Sequence, residues 1–283
     1  MVPIGCQDYS RQIDGSWRFK NEKVQPAIKQ KLDGMHLPPA WRNVVVSADP
    51  SAKVQAIGMD AAGRWQYRYS AEHIGAAKKT KFDRVKLFGR DLPIVRENVL
   101  SGVRGNDARA MLLRIEDKTA IRMGSMADVK AKKKAYGLTT LQGKHVKIKG
   151  DKIILDFTAK KGIPAHYEFT DKNVSSWLSK RKTNLPSADS RLFPDVSPQK
   201  LNEYIKDVAG GKKYTIKDFR TYHGSRIARE ELQKHSGRAL TTKERTGIIK
   251  DVSTTVSRFL RNTPAMAKSA YIDPMVWEII GGL

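Results

Sequence analysis

The spacing of apolar residues changes about a quarter of the way along the chain, and that change restricts the fold more than any other sequence feature. Up to about residue 75, short β-branched or aromatic runs dominate: Val44-Val45-Val46, Lys53 to Ile57, and Trp65 to Tyr69. Asp49-Pro50-Ser51 and Asp60-Ala61-Ala62-Gly63 separate them with turn chemistry, so this part reads as β-rich. From about residue 91 the spacing is helical. Ala108, Met111, Leu112 and Ile115 fall on one face, and Arg122 ends that segment just before Gly124. Lys78 to Lys86, between the two regimes, is basic and weakly patterned and reads as a hinge.

One β unit interrupts the helical part. His145 to Lys149, a Gly150-Asp151 turn, Lys152 to Phe157, a Thr158–Pro164 loop and Ala165 to Thr170 predict three antiparallel strands. Lys160 and Lys161 lie in the second connection. Helices fill the rest. Ser197 with Pro198 opens one whose core face is Leu201, Tyr204, Ile205 and Val208, and Gly210 closes it. Thr215 with Asp218, and Thr241 with Glu244, have the spacing of capping boxes. The second leads into Ile249, Val252, Val256 and Phe259. Asn262-Thr263-Pro264 breaks that helix and starts another, with Tyr271 about two turns in. The predicted class is α+β: a small β-rich N-terminal domain over residues 1–77, then a larger, mainly α domain over 78–283 with a three-stranded antiparallel sheet.

Of 283 residues, 53 are Lys or Arg and 29 Asp or Glu, a net charge of +24. The excess runs along the whole length, as expected of a folded surface that attracts a polyanion and releases its counterions. Cys6 is the only cysteine, which excludes an intrachain disulfide and a cysteine-based zinc site. The opening Met-Val-Pro-Ile-Gly-Cys-Gln-Asp lacks the apolar stretch of a secretory leader. No run approaches the roughly 20 apolar residues of a membrane span. The expected compartment is the cytoplasm.

The sequence has no G-x-x-x-x-G-K-[ST] loop to cradle ATP, no H-E-x-x-H, and no carboxylate pair at metal-ligand spacing. No metal and no cofactor is expected. It does carry an ordered set, Arg122, Lys160, Arg220, Asn262 and Tyr271. A phenol ionises near pH ~10 and attacks poorly unless cationic donors stabilise the developing charge. Two guanidinium forks and an amide suit a pentacoordinate phosphorus, each donor supplying about 3–4 kcal/mol. A lysine on a hairpin can protonate the leaving oxygen. Such chemistry needs neither ATP nor a metal.

Six blocks, in order, carry a family resemblance: Leu37-Pro38-Pro39-Ala40-Trp41, Gly58 to Tyr69, Ile121-Arg122-Met123-Gly124, Tyr136 to Leu141, Lys217 to Tyr222, and Asn262-Thr263-Pro264 followed by Tyr271. From about residue 35 to residue 274 the chain resembles the compact type IB DNA topoisomerases of poxviruses and bacteria. The resemblance implies that Tyr271 attacks a DNA phosphate and becomes bonded to the 3′ end. Arg122 and Arg220 would clamp its nonbridging oxygens, and Lys160, rather than its neighbour Lys161, would protonate the 5′ oxygen. Asn262 stands where the poxvirus enzymes have histidine; it can donate a hydrogen bond but cannot transfer a proton. The β-rich domain would clamp duplex DNA, with Gln66, Tyr67 and Tyr69 toward it. Strand alternation puts Tyr67 and Tyr69 on one face and Gln66 on the other. Arg64, Lys78, Lys79, Lys81, Arg84 and Lys217 would contact phosphates, positioning rather than specifying. The implied protein is a monomer acting at the bacterial nucleoid or in virus-infected cytoplasm.

Two other functions fit part of the sequence. A tyrosine recombinase shares the catalytic set and the nine-residue Asn/His-to-Tyr spacing, but usually shows His-x-x-Arg where this chain has Lys217-x-x-Arg220. A non-catalytic basic DNA-binding protein would account for the charge and leave the ordered set unexplained.

Overall fold

The computed structural model describes residues 6–11, 16–19, 22–47 and 49–282. The first five residues, part of the opening in which the sequence shows no secretory leader, lie outside them. The chain divides into two compact units, Met1–Lys81 and Phe82–Leu283.

In the first unit the strands are β1 (Cys6–Arg11), β2 (Trp17–Phe19), β3 (Glu22–Lys23), β4 (Arg42–Ser47), β5 (Val54–Met59) and β6 (Trp65–Tyr69). Among the described residues they form one antiparallel sheet in the order β3-β2-β1-β4-β5-β6. Helix α1 (Pro26–Gly34) packs Leu32 into a core with Tyr9, Trp17, Val44, Val46 and Ala56, and the Trp17 indole donates to Asp33 at 3.1 Å. The sequence reading anticipated β4 to β6. It missed α1 and the first three strands, which are too short for alternation to register. A Cβ on Gly58 would come within 2.5 Å of the Trp41 ring, which ties two of the resembling blocks together sterically.

Helix α2 runs unbroken over Ala71–Arg104. The expected hinge at Lys78–Lys86 is helix, and the boundary between the two compact units, after Lys81, falls within it. Phe82, Val85, Phe88, Leu92, Val95, Val99 and Val103 are all buried, and their three- or four-residue spacing makes one continuous stripe. Arg84, Lys86, Arg90 and Arg96 stand between the stripe positions and hid the period. Next come α3 (Ala108–Thr119) and α4 (Met126–Lys130). The antiparallel sheet β7 (Val146–Lys149), β8 (Lys152–Ala159), β9 (Ile163–Thr170) follows. Helices α5 (Lys172–Thr183), α6 (Pro198–Val208), α7 (Ile216–Gln233), α8 (Thr242–Leu260) and α9 (Pro264–Ala270) complete the unit.

The architecture is the α+β arrangement expected. Two details differ. Helix α3 stops at Thr119, because Ala120 adopts a left-handed conformation (φ 49°) and caps it; Arg122 lies beyond the helix rather than at its end. The β8–β9 hairpin is longer than expected, since Thr158 pairs with Pro164 and Ala159 with Ile163. Only Lys160, Lys161 and Gly162 remain at its tip.

The core of the second unit has two parts. One joins α2, α3, α6 and the sheet, with Phe88 set edge-on to Phe219 at 4.9 Å. The other joins α7, α8, α9 and the C-terminal segment around Trp277. Tyr271 belongs to the second part.

Candidate active site

Tyr271 is the C-cap residue of α9, two turns after Thr263 caps that helix by accepting from the Met266 amide. Its backbone is held on both sides. Ser225, on α7, donates its hydroxyl to the Tyr271 carbonyl at 3.2 Å and accepts from the Asp273 amide at 2.9 Å. Gly224 lets α7 come this close, since a Cβ there would stand 2.6 Å from the Tyr271 carbonyl oxygen.

Arg220 lies in the first turns of α7, whose start is fixed by the Thr215/Asp218 capping box. Asp218 is buried and is gripped by the Arg84 guanidinium, Nη2 to Oδ1 at 2.8 Å and Nε to Oδ2 at 3.1 Å. The Arg220 side chain is 4% exposed. Its Nη1 donates to the carbonyl of Ala120, where α3 ends, and its Nη2 to that of Leu260, where α8 ends, at 2.8 Å. Arg122 donates Nη1 to the carbonyl of Arg261, the left-handed cap of α8, at 3.1 Å. Both arginines thus satisfy carbonyls at helix C-termini, where the helix dipole also favours a cation. The Arg122 backbone is itself pinned, because its carbonyl accepts from Leu138 at 2.9 Å and that of Met123 from Thr139 at 2.8 Å. Gly124 (φ 78°) packs directly on Gly137, so a side chain at either would part the two segments.

These pieces meet in a cavity of about 260 Å³ lined by Arg122, Arg220, Lys217 and Tyr271, with Glu116 also in its wall. The Arg220 guanidinium carbon is 5.2 Å from the centre of the Tyr271 ring. Burial lowers the Arg122 pKa, Arg220 lowers it further, and Tyr271 opposes both; a guanidinium stays protonated in a protein even so. Two like charges held together, Arg220 buried and Arg122 half-buried, favour an anion between them. Asn262 follows the α8 cap directly, and both polar atoms of its side chain are buried without a hydrogen-bond partner. Buried amides are seldom left so, and this one has donor capacity to spend on a ligand.

Lys160 and Lys161 sit exposed at the hairpin tip and are not among the residues lining the cavity. Lys161 adopts a positive φ of 67°. In the first unit, Tyr67 and Tyr69 are exposed on one face with rings stacked at 6.1 Å, while Gln66 donates to Asp60 at 2.9 Å. Arg64 is exposed and paired with Asp60. Lys78 and Lys81 are half-buried and Lys79 is exposed; Arg84 is occupied by Asp218.

Sequence reasoning missed two residues here. Glu116 is fully buried, yet nothing in Ile115-Glu116-Asp117-Lys118 distinguishes it from half-buried Asp117 or exposed Lys118. Tyr167 on β9 lies under the Arg261 guanidinium, 5.4 Å from its ring centre, and burial raises its pKa. Among the described residues, no group of three His, Cys, Asp or Glu is disposed to hold a metal, and no helix is long and apolar enough to cross a membrane.

Comparison with known proteins gives concordant matches. Residues 70–275 match the model of the eukaryotic DNA topoisomerase I catalytic core, and residues 20–60 match that of the bacterial DNA topoisomerase IB N-terminal domain. A DNA topoisomerase 1B of Acanthamoeba polyphaga mimivirus is 32% identical over 281 residues, 92% of this chain and 82% of the viral protein. The DNA topoisomerase 1B of vaccinia virus (strain Copenhagen) is 28% identical over 172 residues, 59% of this chain and 53% of its own length.

Proposed function

The chain belongs to the type IB DNA topoisomerases, and from that premise we propose that Tyr271 is the nucleophile with which it breaks and rejoins one strand of duplex DNA. The observation that carries this reading is the Tyr271 ring 5.2 Å from the Arg220 guanidinium, in a cavity that Arg122 also lines.

The scissile phosphate enters between Arg122 and Arg220. Their fixed positions mean that no reorganisation is needed as the phosphoryl oxygens gain charge. Asn262 donates its unspent amide N–H to one of those oxygens. The Tyr271 oxygen forms the new bond to phosphorus, and the 5′ oxygen departs with a proton from Lys160, carried in by the hairpin. The 3′-phosphotyrosyl ester keeps the bond energy, so the strand can rejoin without ATP. Residues 1–77 act as a clamp on the duplex, with Tyr67 and Tyr69 as its exposed aromatic face; Arg64, Gln66, Lys78, Lys79 and Lys81 contact the DNA, and Arg84, spent on Asp218, supports the catalytic unit instead. Lys217, at the cavity edge, holds a flanking phosphate. The protein works as a monomer wherever its DNA lies, at a bacterial nucleoid or in infected cytoplasm.

The test is to trap the covalent protein–DNA adduct and map its attachment. Tyr271→Phe is expected to bind duplex DNA as the parent does, form no adduct and relax no supercoils. Relaxation at the parent's rate by this variant, or an adduct on another residue, removes the assignment.

A further inference from the structure

Moving the phenol's oxygen onto phosphorus releases a proton, and none of the groups so far assigned accepts it: the arginines stay charged, Asn262 is an amide, and Lys160 is an acid in this step. The cavity wall holds one more ionisable group. Glu116 reaches it from the last turns of α3; its carboxyl is completely buried, and neither oxygen has a hydrogen-bond partner. A buried carboxyl left without a donor is costly and rarely kept without a use.

We propose that Glu116 is the general base that takes the proton of Tyr271 during cleavage and returns it during rejoining. This rests on the assignment of Tyr271 above. In cleavage, the Tyr271 O–H proton passes to a Glu116 carboxylate oxygen while the freed electron pair forms the O–P bond. The P–O5′ bond breaks, its pair stays on O5′, and O5′ takes a proton from the Lys160 ammonium. Rejoining runs each transfer backwards: O5′ returns its proton to Lys160, and protonated Glu116 returns its own to the departing phenolate. Charge and protons balance with no further reactant. Glu116 and Tyr271 line the same cavity, and a general base acts within hydrogen-bond reach of its proton or through one water.

The surroundings suit this use. Burial holds the Glu116 carboxyl well above the ordinary carboxylate range; Arg220 pulls it down, and Asp117, next on the same helix, pushes it up. Arg122, Lys217 and Tyr271 share its cavity, and Tyr167 on β9 is close enough to feel its charge. A carboxyl shifted toward neutrality is a stronger proton acceptor than an exposed one. Because burial favours the neutral acid, only the ionised fraction of Glu116 takes the phenol's proton; that fraction grows as pH rises, and its titration is the acidic limb of the pH–rate profile.

The experiment measures single-turnover cleavage of a duplex against pH, with the Tyr271 adduct quantified in the same reactions. Glu116→Gln, nearly isosteric, is expected to bind DNA like the parent, to cleave about 100-fold or more slowly, and to lose the acidic limb of the pH–rate profile. A duplex with sulfur in place of the bridging 5′ oxygen needs no acid for its leaving group; it should restore Lys160→Ala but not Glu116→Gln. Cleavage by Glu116→Gln at the parent's rate, or slowed cleavage with the acidic limb unchanged, overturns the proposal. Should the glutamine unfold the chain, Glu116→Asp carries the test: a displaced acidic limb supports the base, and an unmoved one refutes it. If the parent forms its adduct at Tyr271 while Glu116→Gln is unaffected, only the base is lost. If the parent forms none there, the nucleophile assignment itself has failed.

Discussion

At the scale of single residues, Glu116 in the cavity wall and Asn262 after the α8 cap keep unspent buried polar atoms, whereas Arg64 and Arg84 pair with carboxylates. His145 shows what burial does to a titrating group away from that site. It is 6% exposed, its Nδ1 accepts from the Gln142 amide at 3.1 Å, and its ring packs on Tyr136 at 4.3 Å. Burial first, and then Lys144, lower its pKa from 6.5 to about 4. The folded chain therefore resists a proton that the unfolded chain accepts between those values. The His145 contribution to stability should fall as pH drops from 6.5 to about 4, by up to about 3 kcal/mol, while buried Glu116, with its raised pKa, contributes in the opposite direction. Denaturant unfolding of the parent and of His145→Gln at pH 7 and pH 4.5 isolates the His145 share: the variant should lose less stability, or gain more, than the parent on going to pH 4.5.

At the scale of elements, helix ends do the positioning. The C-termini of α3 and α8 present the carbonyls that aim Arg220 and Arg122, and the N-terminus of α7 sets where Arg220 begins. Arg84 on α2 secures that N-terminus by filling both oxygens of buried Asp218. Arg84→Ala would leave a buried carboxylate with only its Thr215 donors, so it should destabilise the fold by about 2 kcal/mol. The Tm reports this loss. Because Arg220 is placed by the same helix, cleavage should slow even at saturating DNA, which loss of a plain phosphate contact would not cause.

At the scale of the whole molecule, the dominant property is a charge of +24 on 283 residues. Binding to duplex DNA should weaken with salt at a log–log slope of about −0.9 per phosphate neutralised. Measured on Tyr271→Phe, which binds without reacting, the slope counts the phosphate contacts. Replacing Lys217 by Ala should reduce its magnitude by about one contact's worth. An unchanged slope would place Lys217 off the DNA track.

What was legible in the sequence was whatever depends on neighbours along the chain. Strand alternation in Trp65–Tyr69, the capping pairs at Thr215 and Thr241, the Ser197-Pro198 start and the hairpin around Lys160 are local patterns, and each appears as an element. The α2 stripe is local too, but interleaved basic residues, mostly arginines, masked it. The order of Arg122, Lys160, Arg220, Asn262 and Tyr271 was equally visible as a motif. Tertiary structure alone decided which of these share a cavity, and that Glu116 joins them while adjacent Asp117 pairs with Arg96 and His223 instead. Spacing along a chain specifies which face of a helix a residue takes. It cannot specify what that face meets, because desolvation and charge coupling act between segments a hundred residues apart.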